Sequence, residues 1–382
     1  MRSLSKKPSR WLITPLLLVL TYGALAAGDQ SATASVGCSF VRVRVPGPGT
    51  YPEIADIKAL AENDVWAVGS YAPGSESAPL VEHWNGTDWS VVSAPTAGAR
   101  GAALQAVAAT TPSNIWAVGY LINGTNKRGG SKTIKGLVEH SDGTQWSIVA
   151  TPHIDQSYEL FGVSADSPTD TWVVGQRYTH PGGTPTAGAI VEHWNGTSWR
   201  VFTAGLPTYV PDTADIAARS PSDVWVAYGG IIEHWNGATW NVQLRANGYV
   251  LSSVSKMGWA LGGGGSAQSM VTFRWNGRSW TSVPTPPLDG DTYPSRIRGF
   301  SQSSMWLVGG HADPGAGTAP LIEHWNGSKW SLATQPAPPA HSPQAEFLGV
   351  TVVNATGEVW TGGSYWDRKR DEPLPLVDHR TC

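Results

Sequence analysis

Apolar and polar positions along this chain recur as pairs of short strands. From Leu80 the chain reads LVEHWNGTDWSVV: an apolar strand, a turn on Asn-Gly, and a second strand led by Trp. The pattern returns as IVEHWNGTSWRVF from Ile190, IIEHWNGATWNVQ from Ile231 and LIEHWNGSKWSLA from Leu321. Weaker copies are LVEHSDGTQWSIV from Leu137 and VTFRWNGRSWTSV from Val271. Asn-Gly and Asp-Gly suit tight hairpin turns because both residues tolerate positive φ. Upstream of each hairpin lies another pair of strands, as in IKALAENDVWAVGS, whose second strand carries one Trp and usually ends in Gly. Those tryptophans are Trp66, Trp116, Trp172, Trp225, Trp259, Trp306 and Trp360. Four strands per unit, repeated seven times, predict an all-β fold: a seven-bladed β-propeller of four-stranded antiparallel blades. The blade cores fall near 53–95, 102–152, 159–207, 213–246, 249–287, 296–336 and 346–382.

The seventh unit stops at LVDHRTC, inside its turn. Its missing strand lies at the other end of the mature chain, because Phe40 precedes Pro46 by the same spacing that separates Trp89 from Pro95. Residues 39–46 are therefore expected to complete the last blade, which removes two unpaired sheet edges. In that register Phe40 takes the place of Trp89, His379 that of His83, Cys382 that of Gly86 and Cys38 that of Thr87. The two cysteines of the chain then face each other and are expected to form a disulfide. A lipid-bearing role for Cys38 is the competing reading, disfavoured because it stands a dozen residues beyond the apolar run.

Composition adds a compartment and removes some partners. Arg2, Lys6, Lys7 and Arg10 precede the apolar run WLITPLLLVLTYGALA, which ends in the small-x-small site Ala24-Leu25-Ala26. Residues 1–26 read as a cleaved secretory signal and 27–37 as a linker, so residues 38–382 are the propeller of a secreted or cell-surface protein. The run is short for a membrane anchor and contains Pro15, so no membrane contact is expected beyond the signal. Without those four basic residues, 22 Lys and Arg stand against 29 Asp and Glu, a formal charge near −7. That acidity excludes nucleic acid as the main partner. A monomer is expected.

Double glycines follow the second strand at Gly229-Gly230, Gly262-Gly263, Gly309-Gly310 and Gly362-Gly363, with Gly69, Gly119 and Gly175 matching only half, and a hairpin Trp stands at 89, 146, 199, 240, 280 and 330. This combination resembles the kelch or galactose-oxidase type of propeller, and SDGTQW from Ser141 resembles the Asp-box of sialidase-type propellers. The resemblance spans essentially the whole mature chain and implies a fold that hosts enzymes, lectins and protein-binding scaffolds alike. A copper radical site of the galactose-oxidase kind would need a cysteine, and both are committed to the latch. No cofactor and no metal site is expected.

Two sets of residues could carry chemistry. The pairs Glu82-His83, Glu139-His140, Glu192-His193, Glu233-His234, Glu323-His324 and Asp378-His379 could ligate metal or move protons. Ring symmetry keeps the copies apart, and neighbours in a strand point to opposite faces, so a structural role is expected. The repeated tryptophans, which could stack on sugars, are expected between blades, where a propeller needs large apolar groups. Non-repeating positions are therefore the better candidates. Links between second and third strands are long in units two, three and seven, and nearly absent in unit four. They predict an asymmetric groove over one end of the channel, lined by Lys127, Arg128, Tyr178, His180, His311, Trp366, Asp367, Arg368 and Arg370. The expected function is non-catalytic binding of an extracellular protein or glycan there. A lectin with repeated blade sites is one alternative. A carbohydrate-active hydrolase or lyase is another; it would need paired carboxylates, with Asp289, Asp291, Asp313 and Asp367 as loop acids available for the role.

Overall fold

A computed structural model describes residues 38–125, 132–154, 156–178, 187–202, 213–264, 269–313, 317–340 and 342–381. Residues 38–382 form one compact unit, distinct from residues 1–37. Seven four-stranded antiparallel sheets make up its described part. Blade 1 shows the plan: Thr50–Ala61, Asp64–Ala72, Ala78–Trp84 and Trp89–Val91, paired in chain order from the channel outward. The seventh blade draws three strands (Ala345–Val352, Val359–Asp367 and Glu372–Thr381) from the C-terminal end and its outer strand, Ser39–Val43, from the other. Its register sets Phe40 opposite Arg380 and Val41 opposite His379, as Trp89 faces Trp84 and Ser90 faces His83. The predicted strand exchange is present, with Phe40 buried in the Trp89 position.

Aromatic contacts knit the ring together. The hairpin aromatic of each blade meets the second-strand Trp of the preceding blade edge-on: Trp89 with Trp360, Trp146 with Trp66, Trp199 with Trp116, Trp240 with Trp172, Trp280 with Trp225, Trp330 with Trp259 and Phe40 with Trp306. A T-shaped contact sets the positive ring edge against a negative face and adds about 0.5–1.5 kcal/mol to the burial itself. The closing contact of Phe40 on Trp306 has ring centroids 5.7 Å apart, so closure repeats the geometry of every other seam.

First strands border the channel, and their inner edge leaves backbone N–H groups without a sheet partner. Side chains of the preceding blade cap several of them. Asp56 Oδ2 accepts from Val107 N, Asp215 Oδ2 from Val254 N, Ser253 Oγ from Ile297 N, Ser164 Oγ from Ala218 N and Thr351 Oγ1 from Ala59 N, at 3.0–3.2 Å. Most first strands also carry a bulge, as between Ile54 and Asp56. The repeated glycine of the second strand permits this close backbone approach, since a Cβ on Gly69 would overlap the Glu53 carbonyl oxygen.

The unit-seven link differs from expectation. SYWDRKRDEPLP reads as a loop, yet the ladder continues through Trp366–Pro373 and Asp367–Glu372, leaving only a short turn. Its aromatic residues favour strand, and pairing satisfies backbone groups a loop would leave to water. Asp367 Oδ1 closes the turn by accepting from the backbone N–H groups of Lys369 and Arg370. Trp366 thereby stands on a rigid strand end.

Candidate functional site

The Glu–His pairs are built into the blade walls. His83 stacks on Trp66 with ring centroids 4.2 Å apart, and Asp64 Oδ1 accepts from both Trp66 Nε1 (2.8 Å) and His83 Nε2 (2.9 Å). Asn114, Asp170 and Asp223 hold Trp116–His140, Trp172–His193 and Trp225–His234 in the same way. In blade 5, Arg274 takes the histidine's place over Trp259. Each neighbouring glutamate turns into the interior. Glu82, Glu139, Glu192 and Glu323 are fully buried, and burial raises their pKa to about 7, 8, 8 and 8. Glu82 accepts from Gly47 N at 3.1 Å, while the carboxyls of Glu139, Glu192 and Glu323 have no protein partner. At neutral pH Glu139, Glu192 and Glu323 are mostly protonated and Glu82 is near its midpoint, and these acids stand one per blade. They do not converge on a ligand.

Of the non-repeating candidates, Lys127, Arg128 and His180 lie outside the described residues. Tyr178 ends the second strand of blade 3, where its hydroxyl donates to Glu159 Oε1. His311 lies in the second strand of blade 6 (Ser304–Asp313) and donates to the Asp289 carbonyl. Arg368 and Arg370 are exposed on the short turn after Asp367. Trp366 is half-buried and lines a cavity of about 440 Å³ bounded by blades 6, 7 and 1. With it stand Glu53, Glu346, Tyr293, Tyr365 and Gln344. The Trp366 N–H donates to the Gln344 carbonyl at 2.8 Å, which ties the platform to the wall of the cavity.

The acids of this cavity are not the ones expected. Glu53 and Glu346 occupy matching register positions, opposite Ser70 and Ser364, and Glu159 takes the same position opposite Gln176. Burial raises the pKa of Glu53, and burial followed by the Glu53 charge raises that of Glu346. Burial raises the pKa of Tyr120, and the charges of Glu159 and Glu53 raise it further. Three glutamates therefore rim the variable-link end of the channel. A sequence signal for them exists: Glu lies 13 residues before the strand Trp in units one and three, and 14 before it in unit seven.

Farther down the channel the charges change. Asp215 is buried against two guanidinium groups, Arg298 at 2.9 and 3.2 Å and Arg296 at 3.3 Å. Burial pushes its carboxyl up, but Arg298 and Arg296 outweigh that and hold it below the usual range. Arg296 also reaches Asp56, at 3.8 Å. Beyond this belt a second cavity, about 410 Å³, opens at the tight-turn end among Lys58, Lys256, Asp166 and Arg298. Among the described residues no group of three or more His, Cys, Asp or Glu side chains could hold a metal ion.

No family model matches the chain, and no curated protein matches it. Solved structures do. A structure of YCF48 bound to D1 peptide is 13% identical, covers 90% of this chain and 97% of its own, and superposes with a TM-score of 0.54. YCF48 from Cyanidioschyzon merolae is 12% identical over 89% of this chain and 98% of its own, at 0.52. The GH74 xyloglucanase from Xanthomonas campestris is 11% identical over 89% of this chain and 55% of its own, at 0.53. At such identities the likeness concerns the fold alone: these are propellers.

Proposed function

We propose that this protein is a non-catalytic binding propeller that takes an extracellular peptide or protein segment on its variable-link face, in the cavity between blades 6, 7 and 1. One observation carries the reading: Trp366, the aromatic that breaks the repeat, lines that cavity beside Glu53 and Glu346. Three aromatic rings and two carboxyls suit a chain with apolar side chains and a basic residue. Peptide binding by the YCF48 propeller is consistent with this use of the fold. Burial of the hairpin Trp rings at the blade seams favours a single site over a lectin's repeated ones. The test is a peptide library and a glycan array screened against the mature protein, followed by Trp366→Ala. We expect basic peptides to bind and the variant to lose about tenfold or more in affinity at unchanged melting temperature. Retained affinity would remove the site.

A carbohydrate-active hydrolase or lyase is the second reading, favoured by the Glu53–Glu346 pair in one cavity. Turnover of a polysaccharide that stops with Glu346→Gln would establish it. Export, signal cleavage after Ala26 and a kelch-type ancestry complete the proposal. So does the Cys38–Cys382 latch, a reading that the pairing of Ser39 with Thr381 supports. Cys382 lies outside the described residues. Mass measurement of the secreted, unreduced protein tests two of these points: a start at Ala27 and no titratable thiol are expected.

A further inference from the structure

The tight-turn end of the channel holds an ammonium that no hydrogen bond or ion pair engages among the described residues. Lys58, in the first strand of blade 1, sits opposite Trp66, and Arg298 sits opposite Trp306 in blade 6, so the two occupy the same row of the ring. Lys256 reaches the same cavity from the turn after the first strand of blade 5. The other charges there are already engaged. Arg298 forks onto Asp215 and also donates to Ser253 Oγ and the Val254 carbonyl. Lys256 Nζ donates to the Ala165 carbonyl at 2.8 Å and lies 3.5 Å from Asp166. Asp56 is held by Val107 N and Arg296. Among the described residues the Lys58 side chain makes no hydrogen bond or ion pair, although it lines the cavity.

We propose that this end of the channel is an anion site, distinct from the Trp366 cavity, in which Lys58 and Lys256 take the phosphate or carboxylate group of one small molecule. An ammonium held beside two further cations, whose opposing charge Asp56 is already engaged by Arg296 and Val107 N, is costly, and an arriving anion relieves that cost. Belt and mouth together favour the assignment. Among the residues that line the cavity, Lys58, Lys256 and Arg298 stand against Asp56 and Asp166, with Asp170 acting on Lys256 from outside the lining, so the lining carries excess positive charge in a chain that is acidic as a whole. The cavity, about 410 Å³, is lined by residues of all seven blades, which suits a small molecule rather than a polymer. Burial, then Lys256 and Arg298, pull the Lys58 pKa down to about 8 against the opposing pull of Asp56. Occupancy should therefore weaken as pH rises past that value.

The experiment is calorimetric titration of the full mature chain at neutral pH and constant ionic strength. Inorganic phosphate forms one arm, glucuronate the other, and chloride is the reference. One of the two anions should bind with unit stoichiometry. Lys58→Met should weaken it about tenfold or more, the loss of one charge-assisted contact, while Lys369→Met on the exposed turn of blade 7 should not. Without ligand, Lys58→Met should melt no lower than the parent, because it removes an unpartnered charge. Phosphate binding identifies a phosphorylated ligand and glucuronate binding a carboxylated one. Failure of both anions to bind above chloride, or undiminished binding by Lys58→Met, would overturn the site. Neither result bears on the Trp366 cavity at the other end.

Discussion

The two ends of the channel are made from the same seven strands and carry opposite charge. At the variable-link end the strands present Glu53, Glu159 and Glu346; at the tight-turn end they present Lys58 and Arg298, joined by Lys256. Backbone geometry does not distinguish the two rows. Only side-chain identity does, at positions where the blades are free to differ because they face the channel and not a neighbouring seam. The seams tolerate no such freedom, since every one repeats an edge-on aromatic contact. A propeller of this kind is uniform where blades touch and individual along its axis.

The belt of Asp215, Arg296 and Arg298 separates the ends, and its removal should have the largest effect. Asp215→Ala would leave two guanidinium groups without their shared carboxylate. The expected cost is about 3–5 kcal/mol, read as a fall in the denaturant midpoint. Arg296→Met together with Asp215→Ala should recover part of it, because a partner left unpaired is then also removed. An unchanged midpoint in the single variant would mean that the belt does not insulate the two ends.

Next in size is the pH response of the blade walls, on which any titration of the channel ends is superimposed. Glu139 and Glu192 have folded pKa values of about 8, raised by burial, while an exposed glutamate titrates near about 4.3. Between those values the folded chain holds more protons than the unfolded one. Stability should therefore fall as pH rises from about 4.5 to about 8, then level off. Glu139→Gln mimics the protonated acid, so it should flatten this slope and raise stability at pH 8.5 by about 1–3 kcal/mol. Denaturant midpoints across pH check it. A slope of opposite sign would mean that these carboxyls find counter-charges when ionised.

Sequence and structure agree best where the pattern is periodic. Hairpin turns, the seam tryptophans and the placement of Phe40 all follow from spacing, because a tight turn sets strand register and register sets facing. Trp366 was readable as a departure from the repeat. The acids beside it leave only the Glu-to-Trp spacing, which does not say which face they take. Glu53 and Lys58 are five residues apart, an odd number that puts them on opposite faces of a regular strand. The bulge between Ile54 and Asp56 adds one residue and turns both to the same face. Asp289 and Asp291 read as loop acids because loops usually carry sites and a bulge leaves no mark in composition, yet Asp291 begins the first strand of blade 6.

The smallest effect concerns the acidic end alone and decides what kind of site it is. Glu346 is raised first by burial and then by the charge of Glu53. Glu53→Gln removes only the second cause, so the Glu346 pKa should fall yet stay above that of an exposed glutamate. Carboxyl-carbon NMR titration of a glutamate-labelled sample resolves such a change, with Glu159→Gln as the control that leaves Glu346 where it was. A downward shift makes the two acids a coupled pair, the arrangement that acid–base catalysis on a glycan requires. No shift would leave two independent carboxylates under Trp366, which suits recognition of a basic side chain and takes the hydrolase reading away.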